Sequence, residues 1–174
     1  MKVPAVFVHG VPDTPRLWRP VIESLARKDV VSLALSGFNC AMPEGFDSSK
    51  EAYAAWIVKQ LEGLGAPVDL VAHDWGAILM LRVVSMRPDL IRTWAGGGGV
   101  VDRDYVWHDL ARQWQTPELG EKVMDEVMVP NTAAGILVQS GVPKDIAVDA
   151  AAAVDECMKK SILRLYRSAT NLGG

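Results

Sequence analysis

The run Val68-Asp69-Leu70-Val71-Ala72-His73-Asp74-Trp75-Gly76-Ala77 sets an acid, Asp74, between a short apolar segment and a helix-patterned one. That order predicts a strand turning sharply into a helix, with Asp74 at the tip of the turn. The turn needs small side chains two positions before the tip and two after it, where the chain closes on neighbouring backbone. Ala72, Gly76 and Ala77 supply them. A carboxylate held there can attack an electrophilic carbon and form an ester on the protein, which water must then cleave. Asp74 is therefore the candidate nucleophile, and the N-terminal end of the following helix is expected to favour its ionised form.

The elements that must position this tip follow from hydrophobic patterning. Ala5 to Val8, Val30 to Leu35, Val68 to His73 and Ile91 to Ala95 are short continuous apolar runs of the kind buried in a parallel sheet. Between them, Leu17 to Arg27, Ser49 to Leu64 and Gly76 to Met86 carry helical spacing, with Ser48 or Ser49 as a cap and Tyr53, Ile57 and Leu61 as an apolar stripe. Strands alternating with such helices predict an α/β fold, a parallel sheet covered on both faces. After Val101 no further strand is legible. Val106, Leu110 and Trp114 form one stripe; Thr116-Pro117 opens a helix, Asn131 caps another, Pro143 opens the next, and Met158, Ile162, Leu165 and Tyr166 mark the last. An all-helical unit at the carboxyl edge of the sheet lies where ligands bind in open α/β folds.

Composition narrows the function classes. The 174 residues are 49% hydrophobic, enough for a sizeable core, and the net charge of −3 comes from interspersed acids and bases. With no basic run or aromatic-interleaved basic patch, nucleic acid is not an expected partner. No apolar run has the length of a signal sequence or a membrane span, so a cytoplasmic location and no membrane contact are expected. Cys40 and Cys157 stand far apart without a metal-ligand pattern and are expected as free thiols. Asp102, Asp104 and Asp109 likewise lack a coordinating pattern, and Gly96 to Gly99 lack the lysine of a phosphate loop, so neither metal nor cofactor is expected.

Three motifs in order carry a resemblance: His9-Gly10-x-Pro12 after the first strand, Ser36-Gly37-Phe38 after the second, and Ala72-His73-Asp74-Trp75-Gly76-Ala77 at the turn. Together they resemble the α/β-hydrolase fold family, and within it the branch holding epoxide hydrolases and haloalkane dehalogenases. The resemblance covers nearly the whole chain. It implies an α/β-hydrolase core over residues 1–101 and a helical cap over 102–174. It also implies a hydrolase acting on a small apolar electrophile through an Asp74 ester, with epoxide opening to a diol as the first expectation. Haloalkane dehalogenation and a non-catalytic ligand- or partner-binding relative are the alternatives.

The same resemblance distributes roles. The backbone N–H groups of Val11 and Trp75 are expected to form the oxyanion hole, and Tyr166, in Leu165-Tyr166-Arg167, to assist ring opening. Tyr105 is the other cap tyrosine, in a setting unlike that of the family's first. Trp75, Trp107, His108 and Tyr105 are expected to line the substrate pocket. For halide chemistry, the Trp75 indole fits the family's use of that N–H, whereas Val11 stands where dehalogenases carry asparagine. His9 is expected to brace loop backbone, and strand alternation points His73 away from Asp74.

Family members continue past the cap into two further strands, which carry the triad's acid and histidine. Here the sequence stops at Asn171-Leu172-Gly173-Gly174. The expectation is a fragment of a longer enzyme, with one chain of a split protein or a degenerate relative as alternatives. A second chain or a further segment would complete the sheet.

Overall fold

The structure, a computed structural model, describes residues 3–65, 67–99, 102 and 104–171. Strands β1 (Ala5–Val8), β2 (Val30–Leu33), β3 (Val68–His73) and β4 (Ile91–Gly97) form one parallel sheet in the order β2-β1-β3-β4. The strands alternate with helices α1 (Arg19–Leu25), α2 (Lys50–Gly63) and α3 (Trp75–Met86). Five helices follow, α4 (Asp109–Gln115), α5 (Leu119–Val127), α6 (Pro130–Gln139), α7 (Lys144–Ala152) and α8 (Glu156–Ser168), and no further strand occurs among the described residues. The expected core and cap meet at Val101, which lies outside those residues.

β1 and β3 are central and apolar on both sides, as a sheet covered on both faces requires. Val6, Val8, Leu70 and Ala72 join the buried cluster containing Tyr53, Ile57, Leu61, Leu79 and Val83 of α2 and α3. On the other side Phe7 packs on Trp18 at 5.1 Å between ring centroids. At the amino ends of the strands Asp69 accepts from Arg92 Nε at 2.8 Å, Thr93 Oγ1 at 2.6 Å and Arg27 Nη1 at 3.4 Å. These bonds tie β3 to β4 and to the chain after α1, and they hold the Asp69 carboxyl far below the usual carboxylate range.

Local chemistry moves several boundaries. Leu17 to Arg27 is not one helix: Thr14 caps a 3-10 turn over Pro15–Trp18, and α1 starts afresh at Arg19 with Pro20 in its first turn. Ser49, not Ser48, caps α2, accepting from the Ala52 N–H at 3.1 Å. Pro130 occupies the first turn of α6 after Val129, so Asn131 is inside that helix rather than at its cap. Pro143 precedes α7 instead of opening it. β4 runs on through Gly96 and Gly97, where added Cβ atoms would meet Met80 at Gly96 and nothing at Gly97.

The cap is fastened to the core at both sides. Lys50 N–H, at the start of α2, donates to Ser168 Oγ at the end of α8 (2.8 Å), and Ala169 beyond it is held within the helical part by Trp107 Nε1, which donates to its carbonyl (2.8 Å). Across the molecule α7 packs on the Pro15–Trp18 turn, with Arg16 paired to Asp149 at 3.2 Å and Arg19 to Asp145 at 2.9 Å. Cys40 and Cys157 are free thiols.

Candidate active site

The turn between β3 and α3 forces Asp74 to φ 52° and ψ −127°, a conformation that costs an L residue about 1–3 kcal/mol. Hydrogen bonds on both sides hold it there. Asp74 N–H donates to the Gly97 carbonyl at 2.9 Å, and its carbonyl accepts from Ala77 N–H at 2.9 Å. Gly76 is small by necessity, since a Cβ there would lie 2.5 Å from the His9 carbonyl oxygen and 2.6 Å from that of Val8. Gly10 meets the turn from the opposite loop, and a Cβ there would lie 2.4 Å from Asp74 Oδ2.

His9 holds that loop. Its Nδ1 is 2.8 Å from the Gly10 carbonyl and its Nε2 accepts from Leu35 N–H at 3.1 Å, which sets the tautomer as Nδ1–H. Burial lowers its pKa to about 4, partly opposed by the Gly10 bond, so the ring stays neutral and bridges the ends of β1 and β2. Held in this way, the loop delivers the Val11 N–H to Asp74 Oδ2 at 2.8 Å. The nearby Trp75 N–H favours the ionised form of the same carboxylate. Of the two backbone donors expected at the oxyanion position, Val11 bonds Asp74 itself and Trp75 acts on it from nearby. Burial raises the Asp74 pKa, and these N–H groups with the charges of His73 and His108 only partly offset it. The helix-end preference for the ionised form is outweighed by desolvation.

Asp74 opens on a cavity of about 250 Å³. Its core side is lined by Gly10, Val11, Asp13, His73 and Gly98, and its cap side by His108, Leu110, Trp114, Ile136, Leu137, Ser140, Val142 and Tyr166. His108 and Tyr166 of the expected set therefore face the cavity with Asp74 and Val11. Trp75, Trp107 and Tyr105 do not line it. Trp75 and Trp107 are buried behind Tyr166, stacked at 5.5 Å and 18°, and Tyr105 lies exposed against the edge of Trp107. His73 lines the cavity despite strand alternation, because β3 ends at that residue and the chain reverses at Asp74.

Tyr166 sits among three indoles, 5.0 Å from Trp75, 5.2 Å from Trp107 and 5.1 Å from Trp114. Burial and then the Asp74 charge push its hydroxyl above the usual tyrosine pKa. The Trp75 indole beside it eases that rise, yet Trp75 Nε1 is sealed from solvent and meets no acceptor in hydrogen-bond geometry. His108 caps α4, its Nδ1 accepting from Ala111 N–H at 3.2 Å.

One cavity residue was not singled out in the sequence. Asp13 is 5% exposed, with Oδ1 accepting from Thr14 N–H at 2.7 Å, and burial raises its pKa to about 7, with Asp74 adding to the rise. Its only signal was an acid directly after Pro12, in the His-Gly-x-Pro loop.

The sequence profile of the alpha/beta hydrolase family matches residues 5–165. The chain belongs to the alpha/beta hydrolase family. Among its relatives, an (E)-2-((N-methylformamido)methylene)succinate hydrolase of Acinetobacter baylyi is 29% identical over 105 residues, 59% of this chain and 40% of that protein. A haloalkane dehalogenase of Mycolicibacterium paratuberculosis is 32% identical over 93 residues, 51% of this chain and 31% of that one. The crystal structure of an epoxide hydrolase from Vigna radiata superposes with a TM-score of 0.78 at 22% identity, covering 99% of this chain and 66% of that one, a likeness of fold. This alpha/beta hydrolase thus spans less than half the length of these two curated relatives. Among the described residues no helix is long and apolar enough to cross a membrane, and no cluster of side chains could hold a metal ion.

Proposed function

We propose that this alpha/beta hydrolase uses Asp74 as a carbon nucleophile on a small apolar epoxide. The supporting observation is the Asp74 carboxylate itself: strained at the tip of the turn, bound at Oδ2 by the Val11 N–H at 2.8 Å, and open on a cavity that Tyr166 also lines. The oxygen held by backbone N–H groups becomes the carbonyl oxygen of the ester, and the other attacks carbon. When water later adds to that ester, the developing oxyanion already sits against Val11 and Trp75. Tyr166 donates to the ring oxygen as the C–O bond breaks. His108 lines the pocket, while Trp75, Trp107 and Tyr105 back the wall that holds Tyr166.

Cleavage of the ester needs a group to take the proton of water. The family resemblance assigns that work to a histidine beyond the cap, so a further segment or a second chain at the free side of β4 is proposed to supply it. Halide displacement is the second reading, favoured by the unpartnered Trp75 indole N–H. That donor is sealed behind Tyr166 rather than facing the cavity, which ranks the epoxide first.

The test is covalent labelling. Incubation with styrene oxide is expected to add one equivalent of its mass, mapped to the peptide carrying Asp74, and Asp74→Asn is expected to remain unlabelled. Label on another residue, or equal label on the variant, would remove Asp74 from its role. Release of bromide from an alkyl bromide without reaction of the epoxide would select the second reading.

A further inference from the structure

Two carboxyl groups share the cavity, and the environment treats them unequally. Asp74 Oδ2 accepts from the Val11 N–H, and the nearby Trp75 N–H and the charges of His73 and His108 favour its ionised form. Asp13 is 5% exposed, accepts from the Thr14 N–H and has the Asp74 charge nearby. Two carboxylates cannot both ionise cheaply in one desolvated pocket, so a single negative charge settles on the partner with N–H donors and histidine charges around it and the proton on the other. The loop that binds Asp74 through Val11 carries Asp13 two residues later, so one rigid segment positions both.

We propose that Asp13 is the general acid of this site, holding the proton that passes to the oxygen released when Asp74 attacks an epoxide carbon. The inference rests on the reading of Asp74 as nucleophile. In the step, an Asp74 oxygen forms a bond to carbon and the ring C–O bond breaks with its electron pair going to oxygen. That oxygen takes the proton of Asp13, leaving a hydroxy ester on Asp74 and a carboxylate on Asp13. The pair holds one negative charge before and after, so the cavity never has to accommodate a change of charge.

The other groups facing the cavity fit other parts. Tyr166 can donate a hydrogen bond to the ring oxygen, but burial and the Asp74 charge oppose its becoming a phenolate. His108 has Nδ1 committed to Ala111 N–H, and His73 is exposed at the end of β3. Asp13 holds its proton up to about pH 7, the range in which a general acid both keeps and gives up a proton readily.

A pair of reagents isolates the proton. Styrene oxide needs one at its departing oxygen, whereas benzyl bromide alkylates a carboxylate and releases bromide, which needs none. Asp13→Asn is expected to slow labelling of Asp74 by styrene oxide on the order of 100-fold while leaving labelling by benzyl bromide near the wild-type rate. In the wild-type protein, styrene oxide labelling is expected to decline above about pH 7 as Asp13 ionises, with no such decline for benzyl bromide. Charges on His73 and His108 act through Asp74 and enter both reactions alike. Equal rates for both reagents in Asp13→Asn would overturn the proposal. If that variant is not folded, the wild-type profiles decide: a decline with styrene oxide alone supports Asp13, and matching profiles overturn it. Wild-type protein labelled by neither reagent would reject the Asp74 reading, and the role of Asp13 falls with it.

Discussion

Gly10 and Gly76 let the loop after β1 and the turn after β3 close together at Asp74, and what each touches predicts how its substitution fails. A methyl at position 76 would meet the backbone carbonyls of Val8 and His9 at 2.6 and 2.5 Å, atoms fixed in β1 and the bridged loop. Gly76→Ala is expected to destabilise the fold by about 3 kcal/mol, the upper range for overpacking, measured by urea unfolding. A methyl at position 10 would meet the Asp74 side chain, 2.4 Å from Oδ2 and 2.5 Å from Cβ, and rotation can move the oxygen but not Cβ. Gly10→Ala is expected to cost about 2 kcal/mol and also to lose epoxide labelling, because the displaced carboxylate leaves the Val11 N–H. Wild-type stability of Gly76→Ala, or full epoxide labelling of Gly10→Ala, would contradict this assignment. Gly76 and Gly10 were legible in the sequence as small residues that a tight turn and a His-Gly-x-Pro loop require. Asp13 was not, because an acid after a proline looks the same whether exposed or sealed, and only tertiary burial distinguishes the two.

At the level of elements, the four strands were legible as continuous apolar runs, since burial on both faces removes the alternation that would otherwise mark them. Helix starts were less so. Proline near a helix start is compatible with the cap, the first turn or the break between two segments, which is why the segment Leu17 to Arg27 divides before Pro20, Asn131 falls inside a helix that Pro130 opens, and Pro143 sits one step before α7. The pocket wall was misread for a related reason: spacing puts Trp107 on the cap but cannot tell a lining ring from one stacked behind Tyr166. The edge of the sheet carries its own prediction. β4 pairs with β3 on one side and with no strand on the other among the described residues, and Trp94 on it is 51% exposed. Beside Trp94 lies a shallow hollow formed with Ala77, Met80 and Leu81. An apolar open edge of this kind templates association. The 174-residue chain is expected to self-associate with rising concentration in sedimentation velocity, and Trp94→Lys to shift it towards monomer. A monodisperse monomer across that range would contradict an adhesive edge.

For the whole molecule, two buried groups on one loop set opposite dependences of stability on pH. His9 has its pKa lowered from 6.5 to about 4. Between those values the unfolded chain binds a proton that the folded chain refuses, so stability falls as pH drops from about 6.5 to about 4. Asp13 has its pKa raised from 3.8 to about 7. Over that window the folded chain keeps a proton that the unfolded chain has lost, so stability falls as pH rises. The two windows overlap almost completely, and their slopes oppose each other. Removing one group uncovers the other. Asp13→Asn keeps an acceptor for the Thr14 N–H but no longer takes up a proton, so the variant is expected to gain stability relative to wild type as pH rises from about 4 to about 7. The gain approaches about 1.4 kcal/mol per pH unit within that window and levels off above it. Urea unfolding at several pH values reads this directly. A difference between variant and wild type that stays constant with pH would show that Asp13 holds no proton in the folded state, which removes it as the acid of the site by a measurement independent of any substrate.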